Sequence, residues 1–313
     1  MSTTITSAPA ENIQLRDARP SFFGLVRGEF FKVIRLRTTW IMLAVVLGVT
    51  ILPYIILGYA PRRLADITAD PLTFFYNVLS TGLSILRVFS GFFVLIVTAR
   101  MIGLEYQLGT IRVLLARGVG RLQLLFAKLL TVVIIALILL VVGLLLNYLL
   151  TLILVEIKTG NLNAFSVLTS QFWSDTRTFV LYLLINTAVS ILLATAAAVL
   201  GRSVSFGLTA ALVFFPIDNI LTGIMVLAYR VTGSDFWLNL TAYFLGPNLN
   251  QMPAVLTSGR VSSIGAAPIF FTDNGVTHGI VVDGTHTLVV AAVYTVIFAV
   301  TAIWLTWKRD IKE

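Results

Sequence analysis

Six runs of about 20 or more largely apolar residues divide this chain, each long enough for a helix to cross the hydrocarbon core of a bilayer. They cover Trp40–Tyr59, Leu83–Leu104, Leu125–Val155, Phe179–Leu200, Phe206–Leu227 and Thr287–Trp307. Backbone groups inside hydrocarbon must find their hydrogen bonds within the protein, and a helix does this within one segment. The predicted fold is therefore an all-α polytopic membrane protein with six transmembrane helices. Composition agrees: 58% of the 313 residues are hydrophobic and 12% are charged, against roughly 25% charged in a soluble domain. Cysteine is absent, which excludes disulfides, thiol catalysis and cysteine-ligated metal. Two runs carry blemishes: Arg87 and Arg100 fall within or at the ends of the second, and Pro216 and Asp218 interrupt the fifth.

Lysine and arginine set the orientation. With the N-terminus inside, the inner segments hold Arg16, Arg19, Arg27, Lys32, Arg35, Arg37, Arg100, Arg112, Arg117, Arg121, Lys128, Arg202, Lys308, Arg309 and Lys312, most of the 22 basic residues. Both termini are thus predicted to be cytoplasmic, in a multi-pass protein of the inner or plasma membrane. The net charge of +8 then reflects topology, and no nucleic-acid partner is implied. Residues 1–20 are polar, with Glu11 and Asp17; they read as a disordered cytoplasmic tail rather than a cleavable signal. Residues 21–313 read as one transmembrane domain. Its first segment, SFFGLVRGEFFKVIRLR, has apolar residues at 22, 23, 26, 30, 33 and 34, with Arg27, Lys32 and Arg35 off that stripe. Such spacing predicts an amphipathic helix in the inner interface, with Phe23, Arg27, Glu29, Phe30 and Lys32 among its residues. The alternative is a plain cytoplasmic extension of the first span.

Between the second and third runs the chain reads GLEYQLGTIRVLLARGVGRLQLLFAKLL, residues 103 to 130. Leu108, Ile111, Leu114 and Leu115 recur at helical spacing, while Gln107, Arg112 and Arg117 interleave. A short amphipathic helix follows, with Gly103, Gly118 and Gly120 as hinges. Two readings fit it: a transmitting element that docks on a soluble partner, or a helix resting on lipid headgroups.

Glu105-Tyr106-x-x-Gly109-Thr110-Ile111-Arg112-x-Leu114-Leu115, followed by Arg121 and Lys128, resembles the membrane subunit of an ABC-2 type ABC transporter. Glu29-Phe30-x-Lys32 with Arg35, Arg37, Thr38 and Trp40 resembles the interfacial connecting helix of that family. FLGPNLNQMPAVL, residues 244 to 256, resembles the segment before its last span. Gly118 stands where the family often has proline. The resemblance implies that the segment is a cytoplasmic coupling helix, with Glu105, Tyr106, Gln107, Gly109, Thr110, Ile111, Arg112 and Leu115 coupling it to an ATPase. It implies two copies of a separate ATPase subunit, which bind ATP and Mg, and a second copy of this permease or a homologous one. This chain itself would hold no cofactor, and cargo would move outward between the two permeases.

No G-x-x-x-x-G-K-[ST] occurs, and GVGR at 118 to 121 lacks both the spacing and the lysine, so no phosphate-cradling loop is available. His278 and His286, near Asp273 and Asp283, have poor spacing for a metal site. The competing class is a stand-alone membrane protein (a lipid-processing enzyme, channel or scaffold), which would need a catalytic cluster that the sequence does not display. The spans offer mostly Phe, Leu and Ile, which suits a hydrophobic or amphipathic cargo. The outer loop, roughly 230–286, reads as an external gate or a lid.

Arg87 lies roughly 27 Å along its helix from Glu105, and Asp218 roughly 24 Å from Arg202, at about 1.5 Å per residue. Both therefore belong to the outer part of the membrane, where an ionisable group is costly unless paired or wet. One reading makes Arg87, Asp218 and Asn219 an outer polar gate. The other lets Arg87 snorkel outward while the fifth span breaks at Pro216 and turns back.

Overall fold

The computed structural model describes residues 21–59, 67, 69–261 and 280–308. The tail 1–20 with Arg16 and Arg19, the loop residues Asp273 and His278, and Arg309 and Lys312 lie outside them. In chain order the helices are α1 (Phe22–Arg35), α2 (Arg37–Tyr59), α3 (Pro71–Gln107), α4 (Thr110–Ala116), α5 (Arg121–Thr159), α6 (Ser170–Gly201), α7 (Val204–Thr232), α8 (Phe236–Thr241), α9 (Leu245–Leu256) and α10 (Gly284–Lys308). A 3-10 turn, Asn163–Val167, joins α5 to α6, and the described residues contain no strand.

Helices α2, α3, α5, α6, α7 and α10 are each long and apolar enough to span a membrane, and each contains one of the six runs. Two begin well before their run. Asp70 caps α3, its side chain accepting from the Thr73 amide at 3.1 Å with Pro71 in the first turn, and Thr169 caps α6 in the same manner. These first turns were missed because Asn77, Ser80 and Thr81 of α3, and Asp175, Thr176 and Arg177 of α6, lower the local hydropathy. Helices α3 and α6 are buried along most of their length, whereas the other four expose most of theirs. Hydropathy reports fitness for lipid, so it undervalues helices that face protein.

The pair α3–α6 forms the axis of the bundle, with α2, α5 and α7 against α3 and α7 and α10 against α6. At the end remote from α4, Phe75 packs on Phe165 and Phe172. There Asp175 accepts hydrogen bonds from Tyr76 at 2.8 Å and from the Ser258 hydroxyl at 2.6 Å, which ties the segment after α9 to the bundle.

Two expectations change. Gly103 is not a hinge: it lies inside α3, and a Cβ there would stand 2.7 Å from the Val204 backbone nitrogen. Only a glycine lets α3 and the start of α7 approach so closely. The turn out of α3 is made instead at Gly109, whose φ of 66° suits glycine, and the turn after α4 at Gly118, φ 81°. Helix α7 also continues through Pro216 without a break. The short buried element beside it is α9, which packs on α6, α7 and α10.

Candidate functional site

Helix α1 begins at Ser21, whose hydroxyl accepts from the Gly24 amide at 3.0 Å. Its last carbonyls, orphaned by the end of the helix, accept from the Thr39 hydroxyl (2.9 Å, Val33) and the Trp40 indole (2.8 Å, Ile34). This joint holds α1 against α2 at the same end of the bundle as α4. The expected single apolar stripe of α1 divides in two. Val26, Glu29 and Val33 face the protein, Phe30 is half-buried, and Phe23 and Ile34 are exposed. Arg27 stacks over the Phe31 ring on the outer side.

Glu29 faces inward because of what it meets. Lys128, about two turns into α5, has a nearly buried ammonium 2.7 Å from Glu29 Oε2, 2.8 Å from Glu105 Oε1 and 3.1 Å from the Met101 carbonyl. An ammonium has three donors, and all three are used. Lys32, half-exposed, reaches Glu29 Oε1 at 2.6 Å and Glu105 Oε1 at 3.0 Å. Two carboxylates and two ammoniums thus form a neutral cluster joining α1, α3 and α5. Glu105 contributes only Oε1; its buried Oε2 has no hydrogen-bond partner among the described residues. Burial alone would lower the Lys32 pKa, but Glu29 and Glu105 outweigh it and hold it above the free value of 10.5. Its contribution to stability is accordingly full below pH 10.5 and is lost only as the pH rises above that value.

Helix α4 sits directly beneath this cluster. Ile111 is buried and packs with Val119 and Leu124, against Leu25 of α1 and the half-buried Tyr106 and Leu114. Leu115 is half-buried too. The exposed side of the segment carries Gln107, Leu108, Thr110, Arg112, Val113 and Arg117. Of the residues expected to touch a partner, Glu105 and Ile111 are turned into the protein, while Gln107, Thr110 and Arg112 are turned out. Val113, 53% exposed, was missed, although its place beside Arg112 in the same turn signals it.

At the other functional level, Arg87 is 5% exposed. Its guanidinium donates to the Tyr182 hydroxyl and, at 2.9 Å, to Asn250 Oδ1. The same Asn250 donates to Asn219 Oδ1 at 3.1 Å. Asp218 is buried and accepts from the Gly246 amide. The polar connection between Arg87 and the Asp218–Asn219 pair therefore runs through Asn250 of α9. Beside it lies a cavity of about 490 Å³ lined by Arg87, Val88, Gly91, Phe92, Leu95, Asn186, Ser190, Phe215, Pro216, Asn219, Gly246, Leu249 and Asn250. His286 is engaged elsewhere, its Nε2 donating to the Ala242 carbonyl at 2.8 Å.

The arrangement offers no cluster of three or more metal-ligating side chains among the described residues. What it offers is an exposed amphipathic helix at one end, a buried ionic joint above it, and a mostly apolar cavity with a few polar groups between the long apolar helices. A family model described as ABC-2 family transporter protein matches residues 25–218, well over half of the chain, covering the exposed helix, the ionic joint and the part of the cavity wall up to Pro216. No curated protein and no solved structure matches.

Proposed function

The chain belongs to the ABC-2 family of transporter proteins, and from that premise we propose that its six-helix bundle is driven by a separate ATPase subunit docking on the exposed face of α4. The observation that carries this reading is the two-sidedness of α4. Ile111 anchors it to the bundle, while Arg112 and Val113 stand outward. Two ATPase copies, which hold ATP and Mg, and a second copy of this permease or a homologous one complete the assembly. The end carrying α1 and α4 is the cytoplasmic one, where Arg35, Arg37, Arg112, Arg117 and Arg121 gather.

Motion of the ATPase displaces α4, and Glu105, three residues after Ile102 of the buried α3 core and five before Thr110, moves with it. The ionic joint passes the displacement to α1 and α5 together, because Lys128 and Lys32 each hold both carboxylates. The bundle then alters access to the cavity at Arg87, and an amphipathic cargo passes outward.

Purified alone in lipid nanodiscs, the chain is expected to bind no ATP and to show no turnover, because no phosphate-cradling loop is present in its sequence. Turnover should appear only with the ATPase. Stoichiometric ATP binding to the chain alone would overturn the reading.

A further inference from the structure

The cavity beside Arg87 carries a conclusion about cargo that rests on the transporter reading and goes beyond it. We propose that this cavity selects amphipathic anions: molecules with one negatively charged group, a phosphate or a carboxylate, on an apolar tail. Its volume of about 490 Å³ lies within the roughly 300–1,000 Å³ of small-molecule sites. That accommodates a headgroup with the first part of a chain rather than a whole lipid.

The wall is divided by chemistry. Phe92 and Phe215 supply apolar surface, whereas Arg87, Asn186, Ser190 and Asn250 supply polar groups. Arg87 is the one ionisable side chain among the residues lining the cavity. The nearby carboxylate of Asp218 is turned to the Gly246 amide and does not line it. The lining therefore carries a positive charge.

Arg87 is also held in place for recognition. Its guanidinium lies over the Tyr182 ring, 5.7 Å from the centroid, and bonds to the Tyr182 hydroxyl and to Asn250. Both of these groups are neutral, and they fix the side chain at the cavity wall. A planar guanidinium donates two parallel hydrogen bonds to a carboxylate or phosphate, and its attraction for an anion strengthens where water is scarce. A cationic headgroup in the same place would be repelled, and a neutral one would gain only the apolar contacts.

The test is equilibrium binding to the full chain in nanodiscs of zwitterionic lipid, using dodecyl phosphate, dodecanoate, dodecanol and dodecyltrimethylammonium. At least one anion should bind about tenfold or more tighter than the alcohol and the cation, the scale of one charge-assisted hydrogen bond. Tighter binding of the phosphate points to lipid-derived cargo, and tighter binding of the carboxylate to peptide or fatty-acid cargo. Arg87→Gln should erase the preference, and Arg87→Lys should keep part of it. Gly91→Leu provides a variant that keeps the charge: a Cβ at Gly91 meets Asn186 and Ser190 only at ordinary distances of 3.8 and 3.9 Å, so the longer side chain fills the cavity rather than forcing the helices apart. It should weaken anion binding about tenfold while the chain stays folded, as one filled cavity excludes its ligand. Equal binding of cation and anion, a preference that survives Arg87→Gln, or undiminished binding to Gly91→Leu would each overturn the proposal. No ATPase takes part in this measurement, so its failure leaves the coupling reading standing, and a failure of coupling leaves these affinities unchanged.

Discussion

Lys128→Met is expected to lower the unfolding free energy by about 3–5 kcal/mol, the usual effect of removing one partner from a buried ion pair. Lys128 has the strongest claim to this loss of any charge at that end. Its side chain is 5% exposed and its three donors meet Glu29, Glu105 and Met101. Without it, two nearly buried carboxylates face each other with only the half-exposed Lys32 to compensate, and an exposed partner is worth little. Thermal unfolding in nanodiscs reads the effect. Combining Lys128→Met with Glu29→Met and Glu105→Met should restore most of the stability, because a wholly apolar replacement of a buried ionic cluster is often neutral or better. The triple variant should nevertheless transport poorly, since the joint between α1, α3 and α5 would no longer be directional. Full transport by a stable triple variant would show that the cluster is structural and transmits nothing.

Arg112→Glu together with Val113→Asp is expected to reduce ATP-driven transport and assembly with the ATPase by about tenfold or more, because one interface hot spot accounts for about 2 kcal/mol. Both side chains are exposed, so the stability of the isolated chain should change little. Ile111→Asp should behave in the opposite way. Ile111 is 9% exposed, against Val119 and Leu124, and a charge there should destabilise the chain by on the order of 3 kcal/mol before docking is ever tested. If Arg112→Glu with Val113→Asp leaves assembly and transport intact, α4 is not the docking element.

The spans were legible because lipid-facing helices must be largely apolar, which the runs in α2, α5 and α10 satisfy and the run in α7 satisfies apart from Asp218 and Asn219. The ends of α3 and α6 were obscured by the polar residues that protein burial permits, although the pairs Asp70-Pro71 and Thr169-Ser170 mark helix starts. Of the two arginines that blemish the second run, Arg87 is buried and bonds to Tyr182 and Asn250, and Arg100 is half-buried and donates to the Thr38 hydroxyl at 3.3 Å. The ionic cluster was not legible. Only Glu29 and Lys32 share a helix; the contacts Lys32–Glu105 and Lys128–Glu29 join residues 73 and 99 apart in the chain, and periodicity ties together only residues on one helix. Glu29 shows this best. It stands three residues after Val26 and four before Val33, on the buried face of α1, and only Lys128 from α5 explains why a carboxylate can occupy that face. On α4 the alternation of leucines and arginines showed that the helix has two faces, but assigning Ile111 inward and Val113 outward needed the positions of Val119, Leu124 and Leu25.

The claim that α4 is where an ATPase meets this chain is tested most directly by site-specific cross-linking. The chain contains no cysteine, so Val113→Cys introduces its sole thiol, to which a maleimide photo-cross-linker can be attached. In membranes containing the ATPase that co-purifies with the chain, irradiation should yield a permease–ATPase adduct from position 113. The same label at Val141→Cys, on an exposed flank of α5, should yield none. An assembled complex that forms no adduct from position 113, or forms one from position 141, would contradict docking on α4.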